Sequence, residues 1–514
     1  LKTKLRQGLI FHWHKRLYPT NVCAKSTWNK SFIMKDMRKF YINGEWVNPI
    51  NGTDFDVINP STEEAYATIS LGGKEDAEAA IAAAKSAFKT WSKSTKAERL
   101  ELMETILEVY MKRSDEMGEI ISEEMGAPIS MSKTSQSGTG SYHIKAFIDA
   151  FKDYEFEREL RADTPNDRII HEPIGVCGLI TPWNWPMNQI SLKVIPALAT
   201  GCTSVLKPSE QSPLSAVLFT EIMHEAGTPA GIYNMLNGDG PGVGTVLSGH
   251  KDVDMVSFTG STRAGTLITK NAADTLKRVS LELGGKGANI IFADADEKAV
   301  KNGVIRCFNN TGQSCNAPTR MLVERSRYDQ AVEEAKAAAD ATAVDLASKE
   351  GRHIGPLVSK MQFDKVQDLI EVGIKEDKAR LVAGGLGRPE GMNRGYFVRP
   401  TVFADCHNDM RIMREEIFGP VLSMMPFDTE EEAIEIANDT DYGLTNYVQT
   451  SDPERANRVA RSVRSGMVDM NGMARSAGSP FGGYKQSGNG REGGEWGLEE
   501  FLEIKAVGGW NPES

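Results

Sequence analysis

Two rhythms of apolar and polar positions divide this chain of 514 residues. The first is helical. Residues 75–91 are Ala-rich, and residues 96–125 follow with Leu100, Met103, Leu107 and Tyr110 at spacings of three and four, one face of a helix. Just before them, residues 40–47 form two short extended runs joined at Asn43-Gly44, which predicts a hairpin opening the folded body. From about residue 174 the second rhythm takes over. Short β-branched runs at 175–180, 204–206, 232–236 and 255–258 alternate with helical segments such as 213–226. Such alternation predicts a mostly parallel sheet covered on both faces. A second series of the same kind runs from 288–292 to about residue 480, so a domain boundary is expected near residues 284–286.

Residues 154–174 break the alternation, being charged and extended, with a turn at Asp163-Thr-Pro-Asn-Asp167. A hairpin there would expose unpaired strand edges, which proteins usually cover. Pairing with another subunit is one way, and residues 501–507 supply a second strand for it. The expected division is a first α/β domain from 36–153 and 174–284, a second from 285–485, and oligomerisation strands at 154–173 and 498–510.

Composition narrows the class. The length exceeds what one core serves, and 40% hydrophobic with 25% charged residues is ordinary for a soluble globular protein. A formal net charge of -11 argues against nucleic-acid binding. No apolar stretch approaches the roughly 18 residues that span a bilayer. The cysteines (Cys23, Cys177, Cys202, Cys307, Cys315 and Cys406) are scattered, without C-x-x-C pairs or His at ligand spacing. Reduced thiols in a cytosolic-type compartment, and no metal, are expected. Residues 1–35 carry eight Lys or Arg and no acid. That leader reads as a mis-set start or disordered tail, or else as a transit peptide that would send the protein to the mitochondrial matrix. His12 and His14 within it read as incidental.

Several segments bear chemistry. Gly488-Asn-Gly490-Arg-Glu-Gly493 fits a dinucleotide fingerprint, but no apolar strand precedes it. Neither a P-loop nor a G-x-S-x-G elbow occurs. Phe258-Thr-Gly260-Ser261-Thr follows a strand and opens a helix, so it is either a phosphate-facing turn or a plain helix cap. Lys207-Pro-Ser209-Glu210 also lies just past a strand end, where open α/β sheets bind ligands. Cys315 sits in the polar turn Thr311-Gly-Gln-Ser-Cys-Asn, which suits a reactive thiol better than a structural one. Glu282 lies between two leucines before Gly284-Gly285-Lys286; it is a general base of raised pKa, or an end-of-strand acid paired with Lys286.

In this order these segments resemble the aldehyde dehydrogenase superfamily from about Phe40 to Val507. Its marks stand as Pro182-Trp-Asn184-Trp-Pro186, Leu206-Lys-Pro-Ser-Glu210, Phe258-Thr-Gly-Ser-Thr262 and Leu281-Glu-Leu-Gly-Gly-Lys286. They continue as Gly312-Gln-Ser-Cys315, Glu415-Glu-Ile-Phe-Gly-Pro420 and Pro480-Phe-Gly-Gly-Tyr-Lys-Gln-Ser-Gly488. The resemblance implies two doubly wound parallel-sheet α/β domains and a small β oligomerisation element, assembled as a homodimer or homotetramer.

It also implies a reaction. Cys315 attacks an aldehyde to give a thiohemiacetal, and the oxyanion is held by the Asn184 amide and the Cys315 N–H. Hydride transfer to NAD leaves a thioester, which water activated by Glu282 hydrolyses; Lys193 and Glu492 match positions that relay protons to that base. For the cofactor the resemblance assigns Lys207 and Glu210 to the adenosine ribose, Ser261 to the pyrophosphate, Glu416 to the nicotinamide ribose and Phe418 to the nicotinamide end. Thr181, Pro182, Trp183, Ser209, Gly260, Gly265, Leu283 and Gly284 border it as well. The Glu210 carboxylate would repel a 2′-phosphate, so NAD is expected over NADP. Trp185, Gln189, Leu192, Asn316, Arg475 and Phe481 would border the aldehyde tunnel, with Arg475 either a partner for a substrate carboxylate or a solvated loop arginine. The rival readings are transfer of the acyl group to coenzyme A, against which Glu282 argues, and a non-catalytic structural relative.

Overall fold

The computed structural model describes residues 34–510. The leader up to residue 33, with His12, His14 and Cys23, lies outside the described residues. The leader expected to reach residue 35 ends sooner: Lys35–Met37 is a strand, paired in parallel with Glu64–Leu71.

The Asn43-Gly44 hairpin forms as expected. Both residues take positive φ (55° and 83°), as a two-residue turn of this hand requires, and Ile42 faces Glu45 across it. Strands Phe40–Ile42 and Glu45–Val47 close one edge of a seven-stranded sheet. The other five, in spatial order Arg278–Glu282, Met255–Thr259, Val176–Ile180, Thr203–Lys207 and Tyr233–Met235, are parallel. The last two are added in chain order to one side of Val176–Ile180, while Met255–Thr259 lies on the other. Strand order therefore reverses between Val176–Ile180 and Met255–Thr259, and a crevice opens at their carboxyl ends.

The stretch 96–125 is two helices, Lys96–Lys112 and Ser114–Met125, where one was expected. Arg113 leaves the helical region (φ -112°, ψ 11°) and its guanidinium is held by Glu116, Glu221 and Glu225 at 2.7–2.8 Å. Asp115 and Glu116 then suit the first turn of the new helix. The buried face of the first helix is Leu102, Met103, Ile106 and Tyr110; Leu100 and Leu107 are only partly covered.

A second seven-stranded sheet follows, in order Arg380–Ala383, Thr401–Ala404, Val421–Phe427, Arg320–Glu324, Ala288–Ile291, Thr445–Gln449 and Met467–Met470. All are parallel but the first. The chain crosses from one sheet to the other between Glu282 and Ala288. Glu157–Glu159, Arg168–Pro173 and Leu502–Val507 pair with one another as a separate three-stranded sheet. A further hairpin, Thr53–Asn59 with Glu64–Leu71, was not foreseen from the sequence. Among the described residues no helix is long and apolar enough to cross a membrane, and no cluster of three or more His, Cys, Asp or Glu could hold a metal.

Candidate active site

The crevice at the strand reversal is a cleft of about 170 Å³. Pro182, Trp183 and Asn184 reach it from the end of Val176–Ile180, and Gly260 and Ser261 from the end of Met255–Thr259. Leu283 and Gly284 enter from the crossing between sheets, and Cys315, Glu416 and Phe418 from the second domain. Residues 132 positions apart in sequence, such as Gly284 and Glu416, meet there. A Cβ on Gly284 would lie 2.3 Å from the Glu416 carboxylate, so any side chain there would push that carboxylate aside. The Gly285 N–H donates to Glu416 at 2.9 Å. Phe418 has a positive φ of 61° and meets the Trp183 ring edge-on at 5.5 Å.

Cys315 lies three residues past a left-handed run, in which Asn310, Thr311 and Gly312 have φ of 53°, 57° and 72°. Gly312 tolerates no side chain, because a Cβ would lie 2.1 Å from the Gly419 carbonyl. Four other described cysteines (Cys177, Cys202, Cys307 and Cys406) are buried, and Cys315 alone among the described cysteines is partly open. That opening does not make it acidic. Burial pushes the thiol up, and the Glu416, Glu282 and Glu492 carboxylates push it further; the Asn316 N–H opposes them.

Glu282 ends its strand with both carboxylate oxygens buried and without a hydrogen-bond partner. Lys286 is not its partner, since that ammonium is also buried and unpaired, and burial lowers its pKa to about 7. Desolvation and then the charge of Glu492 raise Glu282 well above the carboxylate range, against the pull of Lys193. Lys193, on helix Pro186–Thr200, donates to Glu492 in a buried ion pair.

The Asn184 amide donates to the Gln313 carbonyl at 3.0 Å, two residues before Cys315. The Asn184 backbone carbonyl accepts from the Asn310 (3.0 Å) and Gln136 (3.1 Å) side-chain amides. These two amides were missed in the sequence, as were Gln362 and Lys365, which line the cleft; Gln362 donates to the Phe418 carbonyl at 2.8 Å. Two successive asparagines before Thr-Gly are a cue for left-handed backbone, but nothing local marks Gln136.

The remaining expected residues are distributed around this center. Lys207 and Glu210 sit 3.5 Å apart at the end of Thr203–Lys207, and Lys207 also donates to the Pro208 carbonyl. Neither they nor Ser209 line the cleft itself. Thr181 is buried with a free hydroxyl, as is Thr259. Ser261 caps helix Thr262–Ala272 by accepting from the Ala264 N–H at 3.3 Å, and Gly265 packs on Leu283.

On the other side of the Cys315 turn lies a cavity of about 960 Å³, lined by Trp185, Ser314, Asn316, Arg306 and Tyr447 among others. The Trp185 indole donates to the Ser314 hydroxyl at 2.8 Å. Gln189 and Leu192 are buried on their helix. Arg475 is partly exposed and paired: it bonds the buried Asp469 at 3.0 Å and lies over the Phe481 ring at 5.7 Å.

The profile of the aldehyde dehydrogenase family matches residues 46–507. A 3-succinoylsemialdehyde-pyridine dehydrogenase from a Pseudomonas species is 52% identical over 479 residues, covering 93% of this chain and 99% of that one. A crystal structure of an aldehyde dehydrogenase from Bartonella henselae is 59% identical with a TM-score of 0.92, covering 93% and 100% of the two chains. A Cys-to-Ala variant of aldehyde dehydrogenase C from Pseudomonas syringae, solved with NAD+ and octanal, is 47% identical with a TM-score of 0.90, covering 92% and 97%.

Proposed function

Since this chain belongs to the aldehyde dehydrogenase family, we propose that it oxidises an aldehyde to the carboxylic acid with NAD through covalent intermediates on Cys315. The observation that carries this is the meeting of Cys315, Asn184 and Glu416 in one cleft at the strand reversal, with the unpaired Glu282 carboxylate beside them.

The residues present fit the cofactor. The cleft stands at the switch point of a parallel sheet, the helix Thr262–Ala272 points its N-terminus there, and the Thr181 and Thr259 hydroxyls lack partners. Lys207 and Glu210 would hold the adenosine ribose, Ser261 the pyrophosphate and Glu416 the nicotinamide ribose. Glu210 would repel a 2′-phosphate. When bound, NAD supplies the acceptor for the aldehyde hydrogen.

The protein's part is proton and charge management. A thiol held high by three carboxylates must give its proton to a base, and Glu282 is buried, unpaired and raised. It takes that proton, and the thiolate adds to the carbonyl carbon. The oxyanion is met by the side-chain amide of Asn184, whose backbone carbonyl is held by Gln136 and Asn310, and by the Cys315 N–H. After oxidation the Cys315 thioester faces water; Glu282, having passed the thiol's proton on to solvent, removes the water's proton, and the Cys315 thiolate leaves as the acid is released. Lys193 and Glu492 tune that base. The base also favours hydrolysis over transfer to coenzyme A. The cavity behind Cys315 has room for a sizeable tail, in keeping with relatives that take octanal or a pyridine semialdehyde. The three-stranded sheet, which leaves Ile504 71% exposed, would serve as a contact between subunits.

The test is aldehyde-dependent NADH formation by wild-type protein and by Cys315→Ala, with a panel of aliphatic, aromatic and ω-carboxylated aldehydes. Turnover that survives in Cys315→Ala refutes the assignment.

A further inference from the structure

Glu124 is a charged side chain that the reaction does not use, yet it is fully buried in the first domain. It lies on helix Ser114–Met125 and accepts from the backbone N–H groups of Leu214 (2.6 Å) and Ser215 (3.1 Å). Those are the first two residues of helix Leu214–Glu225. The position before them is Pro213, which has no side-chain oxygen to cap the helix. A helix start needs acceptors for its free N–H groups, and here another helix supplies them.

The helix so capped begins where the loop from Lys207 to Pro213 ends. That loop is tied within itself by Ser212 N–H to Ser209 O (3.2 Å) and Gln211 N–H to the Ser209 hydroxyl (3.2 Å). Its front end is fixed by the strand Thr203–Lys207. Its back end is fixed by Glu124. We propose that Glu124 is a positioning residue for the cofactor's adenosine half, holding the Lys207–Glu210 turn in register through the first turn of helix Leu214–Glu225; this rests on the reading of Lys207 and Glu210 as the ribose partners.

A carboxylate offers two acceptors to the two amides. The protonated acid offers one, and its O–H is turned against an N–H that needs an acceptor. Burial without a cation raises Glu124 to about 7, the amides and the Ser215 hydroxyl opposing the shift. Other charged groups on elements packed around it are engaged elsewhere. Asp54 is bonded to Arg38, Asp56 to Thr68, Lys133 to Glu119 and Glu221 to Arg113. His143 is held by Asn188 and Lys145 by Asp149. Lys35 responds to Glu123 and Glu116, and the buried Tyr66 phenol is the group that senses Glu124. Losing the charge below neutrality therefore slackens the turn, and adenosine binding weakens as pH falls.

The experiment is calorimetric titration of ADP-ribose, whose pyrophosphate does not titrate in this range, at pH 6, 7 and 8. Wild-type protein, Glu124→Gln and Lys207→Ala are compared, with steady-state KM for NAD and kcat alongside. The expected result is a wild-type Kd at least three-fold weaker at pH 6 than at pH 8. Glu124→Gln is expected at least five-fold weaker at pH 8, with a flat pH profile and a raised KM for NAD at a kcat above half. Lys286 also titrates near 7, so the slope missing from Glu124→Gln is the diagnostic. A wild-type Kd independent of pH overturns the inference, as does a Glu124→Gln protein that loses kcat with KM unmoved. If Lys207→Ala weakens ADP-ribose and Glu124→Gln does not, the inference fails and the cofactor assignment stands. If neither variant weakens it, the cofactor assignment itself fails.

Discussion

Lys193 and Glu492 form a buried ion pair across 299 residues of sequence, joining a helix of the first domain to the loop that folds back over Glu282. Glu492 contributes one oxygen to Lys193, and its other oxygen is buried without a partner. The pair thus places one negative and one positive charge within reach of the Glu282 carboxylate, with opposite effects on it.

Removing either partner is expected to move the base in a defined direction. Glu492→Gln removes a repulsion and lowers the Glu282 pKa, so the low-pH limb of the rate profile shifts to lower pH. Lys193→Met removes an attraction and shifts that limb upward. Each leaves an unpaired buried charge or its vacated partner, which costs about 3–5 kcal/mol. The kcat profile between pH 5 and 9 and urea denaturation check both; shifts of the same sign in the two variants contradict this account.

The thiol is predicted to be slow without ligands. A free cysteine ionises near 8.5, and Cys315 is held well above that by burial and three carboxylates. Alkylation by iodoacetamide in the absence of cofactor should still be rising with pH at pH 9. Glu416→Gln removes the largest charge effect and should speed alkylation at any pH below that. A rate that levels off near pH 8 would show that the thiol is not suppressed.

Asn184→Ala is expected to lower kcat roughly a hundred- to a thousand-fold, the usual effect of deleting one oxyanion donor. Gln136→Ala keeps the Asn184 side chain but removes one of the two bonds on its backbone carbonyl. It should cost kcat about ten-fold or less. Pre-steady-state formation of NADH locates the loss, which should fall before acid release.

Gly312→Ala tests the turn that presents the thiol. A methyl group there meets the Gly419 carbonyl and a φ of 72°, so a stability loss of at least about 2 kcal/mol is expected. A thermal midpoint equal to wild type would mean that the turn relaxes freely.

The sequence made the two sheets and their junction legible because buried parallel strands are continuous apolar runs, and these stand out against helical stretches. Cys315 and Glu282 stood out for a similar reason, each being an ionisable group in a context that does not suit its bulk behaviour. The same segment could not tell an unpaired Glu282 from one bound to Lys286. That depends on where each side chain points after the chain has crossed between domains. The pairing of Arg475 was hidden on the same ground, since its partner Asp469 lies six residues earlier on a strand whose facing the sequence does not reveal. The hairpin Thr53–Asn59 with Glu64–Leu71 was hidden because its first strand is mostly exposed and its register slips at Val57/Ile58. Gln136 could not be read at all: its role exists only where a helix from residue 137 onward meets a loop near residue 310.

The turn from Asn310 to Asn316 separates the cleft from the larger cavity, with Cys315 facing one and Ser314 and Asn316 facing the other. On the proposed function, a partition of this kind would give the reaction two doors. On the proposed reading the dinucleotide and the aldehyde arrive from opposite sides, so neither blocks the other's path. The acid can then leave before the reduced dinucleotide does. The order of product release is thereby free to be set by how tightly each is held, with no queue imposed by the shape of the entrance.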